Sequence, residues 1–270
     1  MKKMYAILIT VVSLMLFFSS CSDDSTNTPD DTNTENKYFP TNVGSEWTYI
    51  NYELDDEGNK DTDTEYNTKI VVTGTEQKDA KESYIYQTQD LDGNKIDDNQ
   101  YYYTTNSKIY WYSDLIPEMD FSLPLDYNFA WHKIVDANGS AWVLRNDPIE
   151  DLSFDVPGIG SVSLNGAFTI SVTKMENENV TFGTNMDQSI NSSIYNLSYT
   201  YDGESTSDLG THPTKFTKNY MRYFAEDIGL IKYTDEPFTI KVDITGFGTW
   251  IDAFKSGGEE QVLLEYNIAD

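Results

Sequence analysis

From Trp47 onward the chain carries a period of two, and that periodicity limits its fold more than any other feature. In "EWTYINYEL", Trp47, Tyr49 and Asn51 alternate with Thr48, Ile50 and Tyr52. An extended strand points successive side chains to opposite faces. The runs "NTKIVVTGT", "KESYIYQTQ", "NQYYYTT" and "SKIYWYS" follow, rich in Tyr, Thr, Ile and Val and separated by Gly, Asn and Asp clusters. Such runs are strand signals. The i, i+3, i+4 spacing of an amphipathic helix is scarce. "WIDAFKSGG" is read as one short helical turn ending at Gly257. The expected class is all-β, with at most short helices.

Turn chemistry points to hairpins. In "SVSLNGAFTISV" a two-residue Asn165-Gly166 loop would put Val162 on the face opposite Phe168 and Ile170. A one-residue change of register flips every side chain. A three-residue loop, a type I turn with a glycine bulge, keeps Val162 with Phe168, Ile170 and Val172 and is the expected arrangement. "DDEGNK" at Asp55 and "DLDGNK" at Asp90 look alike, but their flanks differ and no third copy appears, so they do not make a repeat. Asp90, Asp92, Asn94 and Asp97 offer oxygen ligands in a short span, yet Gly93 falls at the fourth position where an EF-hand loop needs glycine at the sixth. Polar hairpin tips are the reading adopted, with no metal.

The chain has 270 residues and a formal net charge of -27. Nucleic acid is excluded as a partner, because its binding runs on Lys and Arg neutralising phosphates. The same charge repels anionic lipid surfaces unless the chain is tied down. Yet 20 Tyr, 13 Phe and 5 Trp are too many aromatics for a disordered chain. A single ordered domain over residues 38–270 suits the size range of all-β units.

The N-terminus reads as a targeting segment. Lys2 and Lys3 precede a mostly apolar run from Tyr5 to Phe18, and Ser19-Ser20 lead to Cys21, the sole cysteine. A spanning helix needs about 20 apolar residues, so this run is too short and fits a signal core. With one cysteine, no intramolecular disulfide forms. "FSSC" resembles the lipobox of bacterial lipoproteins, although Phe18 stands where an aliphatic residue is usual. That resemblance implies cleavage after residue 20 and lipid on Cys21. Two or three acyl chains hold a protein at a membrane, since each buried CH₂ contributes about 0.8 kcal/mol. Residues 22–37 contain no aliphatic or aromatic side chain and read as a disordered acidic tether of roughly 20–25 Å. Ser22, Asp23 and Asp24 after the cysteine resemble the surface-export signal of Bacteroidota-type lipoproteins, which implies the outer membrane with the domain facing the cell exterior. Asp24-Ser25-Thr26 also resembles the short O-glycosylation acceptor of those bacteria.

Two further motifs, "YFPTNVGSEWTY" from Tyr38 and "YFAEDIGLIKY" from Tyr223, resemble a broad group of Bacteroidota-type lipoproteins of unknown function. The resemblance covers about 23 residues and implies a curved antiparallel sheet, a half-barrel or sandwich, with no catalytic residues. Physically both motifs punctuate the fold: Pro40 ends the tether, Gly44 and Asp227-Ile228-Gly229 turn the chain, and Trp47 and Leu230 start strands.

The reactive inventory is thin. The two histidines, His132 and His212, have no HExxH or Cys/His context, whereas a zinc site takes three or four such ligands. Phosphate-loop and nucleophile-elbow patterns are absent from the sequence. A glycan-acting hydrolase needs a close carboxylate pair, which 45 acids neither single out nor exclude. No cofactor is implied. The aromatics say more. Tyr101, Tyr102 and Tyr103 face Tyr110, Trp111 and Tyr112 across a hairpin turning near Asn106. Period two puts rings on both sheet faces: one side is core, the other is covered by the protein or open to a sugar or peptide. The sequence thus points to a surface-tethered binding or structural lipoprotein, not clearly an enzyme. The alternatives are a half-barrel carrier of a lipidic ligand and a glycan-acting hydrolase.

Overall fold

The computed structural model describes residues 38–115, 128–156, 160–207, 210–243 and 250–270. Cys21, Ser22, Asp23 and Asp24, the residues expected to carry lipidation and export, lie outside them. Among the described residues no helix forms. Fifteen strands follow one another: β1 Glu46–Leu54, β2 Lys60–Lys78, β3 Lys81–Gln89, β4 Gln100–Thr105, β5 Lys108–Ser113, β6 Ala130–Asp136, β7 Ala141–Val156 and β8 Gly160–Lys174. Then come β9 Glu178–Phe182, β10 Gln188–Ser207, β11 Gly210–Ala225, β12 Gly229–Asp235, β13 Phe238–Asp243, β14 Trp250–Ser256 and β15 Gly258–Asn267. Residues 250–256, expected to make a helical turn, are strand β14, paired with β13 from Phe238↔Ser256 to Asp243↔Trp250. Pairing to a neighbouring strand outweighed a weak local preference.

All strand pairs are antiparallel, and the main path runs β6-β5-β4-β3-β2-β1-β15-β12-β11-β10-β8-β7. The last strand, β15, inserts between β1 and β12 and joins the N-terminal meander to the C-terminal half. The two ends of the path, β6 and β7, are consecutive in the chain and separated by residues 137–140. A connection that short forces the sheet edges together, so the sheet curls into a nearly closed barrel. Trp142 of β7 donates its indole N–H to the Lys133 carbonyl of β6 at 2.6 Å, and the Lys133 ammonium lies 4.6 Å from the Trp142 ring centroid.

The expected Asn165-Gly166 hairpin is not there. β8 runs straight through these residues, with β7 on one side and β10 on the other. Continuity achieves what the turn was invoked for: Val162, Leu164, Phe168, Ile170 and Val172 alternate onto one face and are all buried. The glycine serves a close backbone approach instead. A Cβ on Gly166 would lie 2.7 Å from the Gly203 Cα, and one on Gly203 would lie 2.6 Å from the Gly166 Cα. Asn165 braces the adjacent β7 bulge by accepting the Asp151 N–H at 2.9 Å.

The two motifs that resemble the lipoprotein group meet in space. Trp47 donates its indole N–H to the Ile228 carbonyl at 2.6 Å, and the Tyr49 hydroxyl donates to the Leu230 carbonyl at 2.8 Å. Gly229 between them has φ +102°, and a Cβ there would sit 3.2 Å from Pro40 Cδ. The Tyr86 hydroxyl donates to the Pro40 carbonyl at 2.6 Å. Phe39 packs on Tyr86 and Tyr102 at 4.7 and 4.8 Å between centroids. The start of the domain is thereby fixed as an aromatic plug in the barrel interior. The two ends of the described domain meet as well, with Asn42 donating to the Ala269 carbonyl at 2.8 Å.

Candidate functional site

Strand register decides which of the candidate aromatics face outward. Tyr101 pairs with Tyr112, Tyr102 with Trp111 and Tyr103 with Tyr110. Tyr102 and Trp111 pack against the core, Tyr102 lying 4.8 Å from Phe39 and 5.0 Å from Tyr86. Alternation then turns Tyr101, Tyr103, Tyr110 and Tyr112 to the outer face. β6 extends this strip, because Trp131 pairs with Tyr112. Centroid distances are 5.7 Å for Tyr103–Tyr110, 6.2 Å for Tyr103–Trp131, 5.2 Å for Tyr112–Trp131 and 5.6 Å for Tyr112–Phe129. The rings are partly exposed, and Phe129 at the end is 61% exposed.

One end of the strip is already occupied by the protein. β2 and β3 turn through Asp79 and Ala80, both at positive φ (45° and 60°), the backbone of a two-residue hairpin turn normally given to Asn or Gly. This turn places Lys78 over the Tyr101 ring at 4.2 Å and Lys81 over the Tyr103 ring at 4.7 Å. The Trp131 indole donates to the Lys78 carbonyl at 3.3 Å. The hairpin tip lies along Tyr101 and Tyr103, and Tyr110, Tyr112, Trp131 and Phe129 form the remainder of the strip. Sequence reasoning missed Trp131, Phe129, Lys78 and Lys81. The aromatic and β-branched residues of "AWHKIVD" signal a further strand, but nothing local says which strand it pairs with.

Other candidates have structural roles. Asp55 accepts the backbone N–H of Glu57 at 2.9 Å and of Asn59 at 2.8 Å. Asp90 accepts both the backbone N–H and the side-chain amide of Asn94 at 2.8 Å. These bonds hold both carboxyls below the usual range, the Asn side chains first, and the two similar tips are Asx turns. His132 lies within hydrogen-bonding distance of the Ser113 carbonyl at 3.1 Å, and burial lowers its pKa. Among the described residues no three metal-ligating side chains converge.

Three of the four buried acids among the described residues, Asp136, Asp235 and Glu260, sit against lysines: Lys133 at 2.8 Å, Lys218, and both Lys60 at 2.5 Å and Lys232 at 2.8 Å. Acid–base pairs are structural charge neutralisation, not the acid–acid pair of a glycoside hydrolase. Beneath the two motifs is a void of about 60 Å³ lined by Phe39, Trp47, Tyr49, Tyr86, Tyr102 and Leu230. Ligand cavities run to about 300–1,000 Å³, so this one does not support an acyl-chain carrier.

No family model matches the chain, and no curated protein matches it. Two solved structures are similar to this chain. One is described as a lipoprotein from Parabacteroides distasonis, with 11% identity and a TM-score of 0.42, covering 87% of this chain and 100% of its own. The other is described as an exported protein with a YmcC-like fold from Bacteroides fragilis, with 11% identity and a TM-score of 0.35, covering 86% of this chain and 100% of its own. At these values the functional reading rests on the residues of this chain.

Proposed function

We propose that the protein is a lipid-anchored binding module on the outer surface of a bacterial cell, and that the outer aromatic strip on β4, β5 and β6 receives its ligand, a glycan. The observation that carries this reading is that Phe129 is exposed and Tyr110, Tyr112 and Trp131 are partly exposed on the sheet face the core does not use. An exposed aromatic patch marks an interaction surface. Tyr and Trp combine an apolar ring with a polar handle, which suits the apolar faces and hydroxyls of a sugar. Lipidation at Cys21, the acidic tether and the Ser22-Asp23-Asp24 signal support display at the surface. A peptide laid across the strip is the second ligand class the rings suit.

The test is retention of the full-length chain on a panel of immobilised polysaccharides and peptides. Trp131→Ala is expected to weaken the retained ligand about thirtyfold, as befits a central aromatic anchor worth about 2 kcal/mol. Retention unchanged in both Trp131→Ala and Tyr112→Ala, or no retention by the wild type on any member of the panel, refutes the assignment.

A further inference from the structure

Arg222 is an inner-face cation that pairs with no acid among the described residues. It lies on β11 opposite Tyr195 of β10 and Tyr233 of β12. Tyr195 is 2% exposed, and Phe224, two residues on, packs on Phe39 and Tyr195. Alternation therefore turns Arg222 to the inner face. Its guanidinium carbon is 5.6 Å from the Tyr233 ring centroid and 5.6 Å from that of Trp111. Trp111 belongs to β5, far from β11 along the sheet path, so the contact spans the barrel. Tyr102 pairs with Trp111 across β4 and β5; burial raises its hydroxyl to about 12, and the Arg222 charge acts against that rise.

The rings satisfy the charge but not the hydrogen-bonding capacity. Two aromatic faces attract a guanidinium, whose five N–H donors still require acceptors. Among the described residues Arg222 makes no ion pair, and its guanidinium donates no hydrogen bond. This holds in a chain with 45 acidic residues. The contrast with its neighbours is sharp: Lys218 is bound by Asp235 and the Glu236 carbonyl, and Arg145 by Asp147. Arg222, Trp111 and Tyr233 each keep partial exposure.

We infer that Arg222 anchors an inner-face binding site for a ligand bearing an oxyanion: a carboxylate, a phosphate or a sulfate. The fork of the guanidinium matches such groups in bidentate geometry. Trp111 and Tyr233 hold it in place, and Tyr102, whose hydroxyl donates to Gln100 Oε1 at 2.7 Å, lies beside Trp111. The site is on the sheet face opposite the outer strip and stands independently of it.

The chain has two arginines, Arg145 and Arg222, so the Nε–Hε region of a nitrogen–proton correlation spectrum holds two signals, with the Asp147-bound Arg145 as internal control. The full-length chain in detergent is titrated with D-glucuronate, inorganic phosphate, inorganic sulfate and D-glucose. The Arg222 signal is expected to move saturably with at least one of the three anions and to stay with glucose; which anion acts identifies the oxyanion. Arg222→Lys is expected to weaken that anion at least tenfold, and Arg222→Gln to abolish its binding, with retention on the outer strip unchanged. No saturable movement with any anion, an equal response to glucose, or wild-type affinity in Arg222→Gln overturns the inference. Should Arg222→Gln lose its cooperative thermal transition, the wild-type signal decides alone.

Discussion

Replacing Gly229 by alanine tests whether the meeting of the two sequence motifs holds the barrel together. Gly229 has φ +102°, a region that L residues enter at about 1–3 kcal/mol. The added Cβ would lie 3.2 Å from Pro40 Cδ and 3.6 Å from Trp47 Nε1. Pro40 is fixed by the Tyr86 hydroxyl bond, and Trp47 by its 2.6 Å bond to the Ile228 carbonyl, so neither neighbour yields freely. Disturbing the Trp47 bond adds about 1 kcal/mol. The expected loss is about 2–4 kcal/mol, or roughly 5–15 °C in Tm for a domain of this size. Gly74→Ala is the control, because a Cβ there meets nothing within 4 Å and the backbone is not at positive φ. Urea unfolding of full-length chains, followed by tryptophan fluorescence, should show a lower midpoint for Gly229→Ala at unchanged slope and Gly74→Ala within about 0.5 kcal/mol of wild type. A Gly229→Ala midpoint matching that of Gly74→Ala would falsify the account of the motifs as a mutual lock.

Cys21→Ala should release the protein from membranes; its persistence in the membrane fraction would contradict lipid anchoring, and protection from protease in intact cells, with digestion after lysis, would contradict outward display. Gly203→Ala should destabilise severely, since its Cβ would lie 2.4 Å from the Asn165 carbonyl oxygen and the β8–β10 ladder must part; a wild-type melting curve would disprove the backbone-contact role. The pH dependence follows from Glu260, whose carboxyl is pushed up by burial but held below its ordinary 4.5 on balance by Lys232 and Lys60. A depressed folded pKa gives stability that is full above the unfolded value and is lost as pH falls from about 4.5 through the folded value. Glu260→Gln should therefore flatten the stability curve below about pH 4.5 relative to wild type, and an identical acid limb would exclude this ion-pair cluster as a contributor.

Strand content was readable because alternation is a local property. "EWTYINYEL" and "KESYIYQTQ" are β1 and β3 residue for residue, and the turn near Asn106 joins β4 to β5 with Thr105 opposite Lys108. The same local logic failed at Asn165-Gly166, because a glycine that permits a tight turn also permits two backbones to touch, and only the partner strand β10 says which. It failed at residues 250–256 because a short apolar run takes the structure its neighbour imposes. The six hairpin aromatics were found by composition, yet their division into inner Tyr102 and Trp111 and outer Tyr101, Tyr103, Tyr110 and Tyr112 required the register.

By itself, then, the sequence determined an all-β antiparallel chain, because side-chain alternation and strand propensity act over a few residues. Tertiary structure decided what no local rule reaches. It put β15 between β1 and β12, brought the edges β6 and β7 together, and laid Lys78 and Lys81 on the outer rings. It also set Arg222 between Trp111 and Tyr233 from different walls of the barrel. Apart from the short β6–β7 link and the step from Arg222 to Tyr233, those contacts join residues separated by tens to hundreds of positions, and they exist only once the sheet has curled and its two faces have become an inside and an outside.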